Sequence, residues 1–528
     1  VKTLITAARV IDGTGRAPFV ADVLIDGQKI EAIREPGTFA GLADVKTVSA
    51  DGLVLSPGFI DTHAHADNSP LLAEDDTSKI MQGCTTEVNG NCGFSLAPID
   101  PLHEDGFYTL VTRIFPAAKY GWRSFAEYKA AMNQHEYVTN FATLIGHNTV
   151  RVAAMGDEMR APDKTEMRTM QHLVDDAIEN GAGGLSSGLI YPPGVFSEPS
   201  ELVTLASNLP PTAIYASHMR SESHHLMDSL RETVHVAQNA GIRCHISHLK
   251  FADRQSSSQM ATALEYLDAQ RTAGLPVTQD MYPYSAASTM MTALLPPWMH
   301  DGGAQKLLGR LKSRELVQRA GDQIASSEAT FENYARTAGW DGVIVASTGS
   351  HRYEGESVAQ IAATMGVEPI EAVARMLIDE QLHITVILWA MREEDVTLGL
   401  QHPFTMIGTD GLPVGTGGKP HPRGYGSFAR MLDHYVRRTK AVGLVDAIRR
   451  MTSLPAQTFG LEGRGVVAEG AFADLVLFDP DTLTDNATFA HPTDAPAGLF
   501  DVFVAGEHVV DRGAWTGRRA GKFLAARH

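Results

Sequence analysis

Eight times along the middle of this chain, an apolar run rich in β-branched residues ends in a polar or glycine-rich turn and gives way to a helix-like stretch. The runs are LSPGFIDTHAH, CTTEVNGNCG, NFATLIGHN, AGGLSSGLIYPPG, TAIYASHMR, IRCHISHLK, PVTQDMYPYS and FTMIGTDG. Near-continuous apolar strands of this kind are buried on both faces, the pattern of parallel sheets built from βαβ units. Eight such units predict an α/β fold of the (β/α)8 TIM-like barrel type; a doubly wound open sheet is the competing arrangement.

Residues 1–56 and 464–528 follow another rhythm, short alternating strands separated by turns, as in DVLIDGQKIEAI and VFVAGEHVVDRG. They predict a small β-sandwich domain assembled from both termini, leaving 57–463 for the barrel. Extra chain around 286–400, including LLPPWMHDGG and a charged helical segment, predicts an insertion near the barrel mouth, either a lid or plain decoration. A length of 528 residues accommodates a large domain with a satellite.

With 44 basic against 62 acidic residues the net charge is −18, and no basic stripe interleaved with aromatics is present, so nucleic acid is not an expected partner. No apolar run is long enough to cross a bilayer, and the N-terminus reads as a strand instead of a secretory signal. Cys84, Cys92 and Cys244 are too few for a disulfide framework. The expectation is a cytoplasmic protein acting on a small molecule, its oligomeric state left open.

In a barrel of this type the chemistry sits where the strands end, so those ends are read together. Run one carries His63 and His65, two apart and therefore on one side of an extended strand, able to grip one ion. Run two ends in Cys92, run five in His218, run six in His248 and run eight in Asp410. Singly, each reads equally well as packing or as a turn residue. Together they make four imidazoles, one thiolate and one carboxylate at the same end of the predicted barrel, a set suited to one or two zinc-like ions. Cys84 and Cys244 read as packing.

GFIDTHAHAD, NCGFSLAP, SHMR, SHLK, DMYPYSAAST and MIGTDGLP with HPRGYGSFAR resemble the amidohydrolase superfamily, specifically its D-aminoacylase branch, the N-acyl-D-amino-acid deacylases. The resemblance extends to the C-terminal MTSLPAQTFGLEGRGVVAEGAFADLVLFDP. The H-x-H is superfamily-wide, whereas the cysteine turn is more specific to this branch. Many relatives bridge two metals with a carboxylated lysine at the end of strand four, where this chain has GGLSSGLIYPPG and no lysine. A thiolate from Cys92 would supply the missing anionic ligand. The resemblance implies a tight zinc site of Cys92, His218 and His248, with His63, His65 and Asp410 around a second.

The implied reaction is metal-assisted hydrolysis of an amide, with Asp410 taking a proton from the attacking water and returning it to the departing nitrogen. Lys250, Tyr191 and Tyr282, also at strand ends, could clamp a carboxylate or be a surface lysine and two packed tyrosines. The resemblance assigns them to the α-carboxylate of an N-acyl-D-amino acid, with Ser288 a weaker candidate and Arg220 either supporting a ligand or meeting an acidic side chain. His147 reads as a hydrogen-bonded structural histidine ahead of one that orients substrate or water; Asn148 stands where the branch commonly has glycine. The glycine- and proline-rich segment 411–426 reads as an active-site loop or an ordinary surface loop. Alternatives are hydrolysis of dipeptides with a C-terminal D-residue, a cyclic-amide hydrolase of the hydantoinase or dihydroorotase type, and a binding protein that has lost its chemistry.

Overall fold

The computed structural model describes residues 2–413 and 418–528. Each of the eight runs carries one short parallel strand: β1 (Phe59–Asp61), β2 (Cys84–Asn89), β3 (Asn140–Thr143, continued by Ile145–Gly146), β4 (Gly184–Gly188), β5 (Ile214–His218), β6 (Arg243–Ile246), β7 (Val277–Met281) and β8 (Thr405–Ile407). Neighbours pair in parallel from β1 through β3 and on to β8. The ring closes between β8 and β1, where the Thr62 N–H donates to the Ile407 carbonyl at 3.4 Å and the Asp410 N–H to the His63 carbonyl at 2.7 Å. Beyond them the His65 N–H reaches the Gly411 carbonyl at 3.0 Å. The strands are short because only the barrel wall is strand; the polar residue ending each run turns into the mouth.

Helices return the chain between strands, and their sequences show why. Leu226–Ala240, after β5, buries Leu226, Leu230, Thr233, Val234 and Ala237, spaced to form one face, and Gly241 stops it in a left-handed conformation at φ 71°. Lys164–Glu179 opens on a capping box in which Asp163 accepts the N–H groups of Thr165 and Glu166 while the Glu166 carboxylate accepts the Asp163 N–H.

The two termini build one nine-stranded sheet. Val54–Pro57, immediately before β1, lies between Lys2–Val10 and the returning strand Leu475–Phe478. The sheet curls on itself, with Lys29 bridging to Phe472 and the Ile30 N–H donating to the Ala471 carbonyl, around a core that includes Ile5, Val23, Leu55, Leu475 and Phe503. The last residues leave this sheet for the barrel: Phe141 of β3 donates to the Lys522 carbonyl and accepts from Leu524, and Phe523 stacks on the Phe141 ring.

Between β7 and β8 the extra chain forms its own layer. Ala287–Met290, Ile384–Leu388 and Val343–Thr348 make an antiparallel sheet backed by helices, with a separate apolar core that includes Met291, Leu307, Tyr334, Val345 and Val373.

The turn after β2 crosses the end of β4 so closely that a Cβ on Gly188 would lie 2.0 Å from the Cys92 carbonyl oxygen. Backbone cannot yield there as a flexible side chain would. Gly188→Ala is expected to displace the Cys92 turn and destabilise the fold by about 1–3 kcal/mol, checked as a lower thermal midpoint; an unchanged midpoint would contradict this packing.

Candidate metal centre and active site

The turn that follows β2 delivers Cys92 into the barrel mouth with a left-handed backbone, φ 53°. Two other strand ends share that conformation: His248 at φ 35° after β6 and Asp410 at φ 48° after β8. Left-handed backbone at a residue with a side chain costs about 1–3 kcal/mol and persists where the surroundings over-determine it. Here each turn aims a functional side chain inward.

The Cys92 sulfur stands 3.2 Å from His63 Nε2, 3.4 Å from His248 Nε2 and 3.6 Å from His218 Nδ1. His65 Nε2 lies 3.2 Å and His63 Nε2 3.7 Å from an Asp410 oxygen. All six side chains are buried. Two triads have ligand atoms close enough to share an ion, His63 with His65 and Cys92, and Cys92 with His218 and His248. Cys92 belongs to both.

The donor set fits zinc. A tetrahedral zinc, with a Zn–S bond of about 2.3 Å and Zn–N bonds of about 2.0 Å, places sulfur and nitrogen about 3.5 Å apart, close to the separations around Cys92. Electrostatics points the same way. Burial would push the Cys92 thiol up, but the His63 and His248 imidazoles beside it, with hydrogen bonds from His218 and His248, hold it well below its usual range. Burial opposes charge on His65, yet Asp410 and Cys92 raise it to about 9. The thiolate and the carboxylate therefore favour positive charge in their midst, which a divalent ion supplies.

Asp410 is also gripped from outside. Burial would raise its carboxyl, but the Arg423 guanidinium 2.8 Å away and the hydrogen bond with His65 keep it well below the usual carboxylate range, hence ionised at neutral pH. Arg423 also donates to the Ser288 carbonyl at 3.1 Å and lies 4.7 Å from the centre of the Tyr282 ring. The Tyr282 hydroxyl is buried with no hydrogen-bond partner among the described residues, and Lys250 sits on the same ring at 5.4 Å. A cavity of about 260 Å³ beside Asp410 is lined by Ser288, Ser347, Thr385, His421 and Arg423.

The structure thus brings Lys250, Tyr282 and Ser288 to the candidate metal ligands, with Tyr191 alongside, its ring 4.9 Å from that of His218 and its hydroxyl 2.8 Å from Thr289. Arg220 is committed elsewhere, in an ion pair with Glu232 at 2.8 Å and hydrogen bonds to the carbonyls of Val195 and Ser197. His147 lies in a buried triad with Glu201 and Arg151. Asn148 sits under the β4 turn, its amide 3.4 Å from the Gly188 and Tyr191 carbonyls. Cys84 and Cys244 are core residues whose thiols burial pushes up, Cys244 to about 12. Of segment 411–426, residues 414–417 lie outside the described residues.

The family model described as "Amidohydrolase family" matches residues 46–204 and 317–510. The D-aminoacylase of Alcaligenes xylosoxydans xylosoxydans is 34% identical over 523 residues, which cover 99% of this chain and 97% of that protein. This chain belongs to the amidohydrolase family, in its D-aminoacylase branch. The N-acyl-D-aspartate deacylase of the same organism is 32% identical, covering 99% of this chain and 94% of its own. The crystal structure of the N-acyl-D-glutamate deacylase from Bordetella bronchiseptica, complexed with zinc and a phosphonate mimic of the tetrahedral intermediate, superposes with a TM-score of 0.82 at 32% identity over 99% of both chains.

In this amidohydrolase three charged residues at the site escaped the sequence reading. Asp280 of β7 lies 3.6 Å from His63 Nδ1, 2.7 Å from His245 Nε2, and accepts the His248 N–H. Glu222 lies behind His218 and His248, bonded to Lys250 at 2.7 Å. Arg423 is the third. Asp280 was within reach, since it is two before Tyr282 and strand alternation puts both on one face. Glu222 lies in the loop after β5 and Arg423 is the first residue of the helix Arg423–Arg430, so neither follows the strand periodicity.

Cys92→Ala removes the atom common to both triads. Zinc affinity, measured by chelator competition, is expected to fall by more than about 100-fold, beyond the loss typical of an outer partner; wild-type affinity would remove Cys92 from the ligands.

Proposed function

We propose that this protein is a zinc-dependent deacylase that hydrolyses the amide bond of N-acyl-D-amino acids, releasing a carboxylic acid and a free D-amino acid. The observation that carries the reading is the meeting of His63, His65, Cys92, His218, His248 and Asp410 at one mouth, facing a wall of two cations and a phenol that has no hydrogen-bond partner among the described residues. Its full-length relatives include, by their names, a D-aminoacylase, an N-acyl-D-aspartate deacylase and an N-acyl-D-glutamate deacylase, which supports the reaction and leaves the side-chain preference open.

Cys92, His218 and His248 would hold one zinc, and His63, His65 and Asp410 would surround a second. Zinc, when bound, supplies Lewis acidity that generates a nucleophile at neutral pH and polarises an acyl carbonyl. Asp410, ionised and fixed by Arg423, accepts the proton of the attacking water and returns it to the departing amine nitrogen. Lys250 and Tyr282 receive the substrate α-carboxylate, assisted by Tyr191 and Ser288: the buried Tyr282 hydroxyl gains the acceptor it lacks, and the ammonium meets an anion. Arg220, already saturated, positions the turn after β4.

A cyclic-amide hydrolase of the hydantoinase type fits less well, because β4 ends in Leu-Ser-Ser-Gly with no lysine to bridge two metals. A barrel without chemistry is hard to reconcile with an ionised carboxylate held so close to clustered ligands. The three unpaired, buried cysteines suit a reducing, cytoplasmic setting, and no helix among the described residues is long and apolar enough to cross a membrane.

Zinc-loaded protein incubated with paired N-acetyl-D- and N-acetyl-L-amino acids, including aspartate and glutamate, is expected to release amine from D-substrates only. Equal rates on both enantiomers, or none on any D-substrate, would overturn the assignment. Asp410→Asn is expected to lower kcat by about 10²–10⁴-fold while zinc at the Cys92 site stays bound; retained turnover would remove Asp410 from its proton-transfer role.

A further inference from the structure

Behind the metal ligands one carboxylate faces two of them at once. Glu222, almost fully buried, places Oε1 2.8 Å from His248 Nδ1 and Oε2 3.7 Å from His218 Nε2. The opposite nitrogens of the same rings face the Cys92 sulfur at 3.4 Å and 3.6 Å. We propose that Glu222 is the positioning residue of the Cys92, His218 and His248 site, and that the inserted segment holds it there through Tyr334 and Glu332. This rests on the reading that zinc binds those three residues.

The need for such a residue comes from Lys250. Its ammonium lies 2.8 Å from His248 Nδ1, so two groups compete for that nitrogen. An ammonium has only donors. Were it the sole neighbour, it would bond the Nδ1 lone pair and leave the ring proton on Nε2, the atom turned toward Cys92, where a metal needs a lone pair. Glu222 Oε1 is an acceptor within 2.7 Å of Lys250 and 2.8 Å of Nδ1, and it takes a hydrogen from each. His248 thereby carries its proton on Nδ1 and offers Nε2 inward.

Glu222 does not hold itself. Its second oxygen accepts the Tyr334 hydroxyl at 2.9 Å. Its backbone N–H donates to Glu332 at 2.5 Å, and the other Glu332 oxygen accepts the Ser223 hydroxyl at 2.5 Å. Tyr334 and Glu332 both belong to the chain inserted between β7 and β8, whereas Glu222 follows His218 by four residues after β5. Both are buried. The insertion is thus part of what shapes the metal site.

The test is zinc affinity and stoichiometry of the full-length protein by chelator competition, with circular dichroism confirming the fold. Glu222→Gln is expected to weaken zinc about 10–100-fold. Adding Lys250→Met to that variant is expected to recover most of the loss, a rescue that a merely structural role for Glu222 would not produce. Tyr334→Phe, conservative and confined to the insertion, is expected to weaken zinc by several-fold. Wild-type affinity in Glu222→Gln, or no recovery in the double variant, would overturn the role of Glu222. Unchanged affinity in Tyr334→Phe would overturn the part given to the insertion, and decides the matter if Glu222→Gln does not fold. A wild-type protein that bound no zinc would instead remove the metal-site reading beneath it.

Discussion

One sulfur atom stands within 3.6 Å of imidazole nitrogens from the ends of three different strands, β1, β5 and β6. Most of the site follows from making that cluster tolerable. Buried groups that would otherwise be left charged and unpaired are costly, so the thiolate, the four imidazoles and Asp410 must balance one another or share a cation. The backbone is bent to bring them together: Cys92, His248 and Asp410 all adopt left-handed conformations at the mouth. What holds them is the barrel around them, closed between β1 and β8 by the Asp410 to His63 backbone bond and by Asp61, whose oxygens accept the Thr409 N–H at 2.8 Å and its hydroxyl at 2.5 Å.

Three of the imidazoles, those of His63, His218 and His248, have the Cys92 sulfur at one ring nitrogen and a carboxylate at the other. His63 has Asp280 at its outer nitrogen, His218 and His248 share Glu222, and His65 meets Asp410 directly. Such outer carboxylates fix ring orientation and leave the inner nitrogens free to bind metal. The cations divide between two tasks. Arg423 neutralises Asp410 from behind, and Lys250 is tied to Glu222 while still bordering Tyr282. This leaves a positive wall opposite the cluster of Cys92 and the histidines, where an anion would gain most.

Much of this architecture was legible in the sequence, for a definite reason. Buried parallel strands must be apolar, so eight runs announced eight strands, and the polar residue ending each run marked the face where chemistry collects. The cysteine ending the second run and the lack of a lysine at the end of the fourth were readable for the same reason, because both positions are run ends. What escaped detection lies off the strands or enters through tertiary approach. Glu222, in a loop, and Arg423, at the start of a helix, meet Lys250 and Asp410 from 28 and 13 positions away, and Tyr334 reaches Glu222 across 112 positions. The return of the C-terminal residues onto β3 depends on Phe523 finding Phe141, a contact with no local periodicity. Arg220 shows the converse: its place two after His218 suggested the site, but Glu232 on the following helix claims it.

The central claim is that Cys92 is a zinc ligand shared by geometry with the histidines around it. X-ray absorption at the zinc edge, on wild-type protein loaded with one equivalent of zinc, tests it directly. One sulfur is expected in the first coordination shell at about 2.3 Å, with nitrogen or oxygen donors at about 2.0–2.1 Å. A shell of nitrogen and oxygen alone would contradict it.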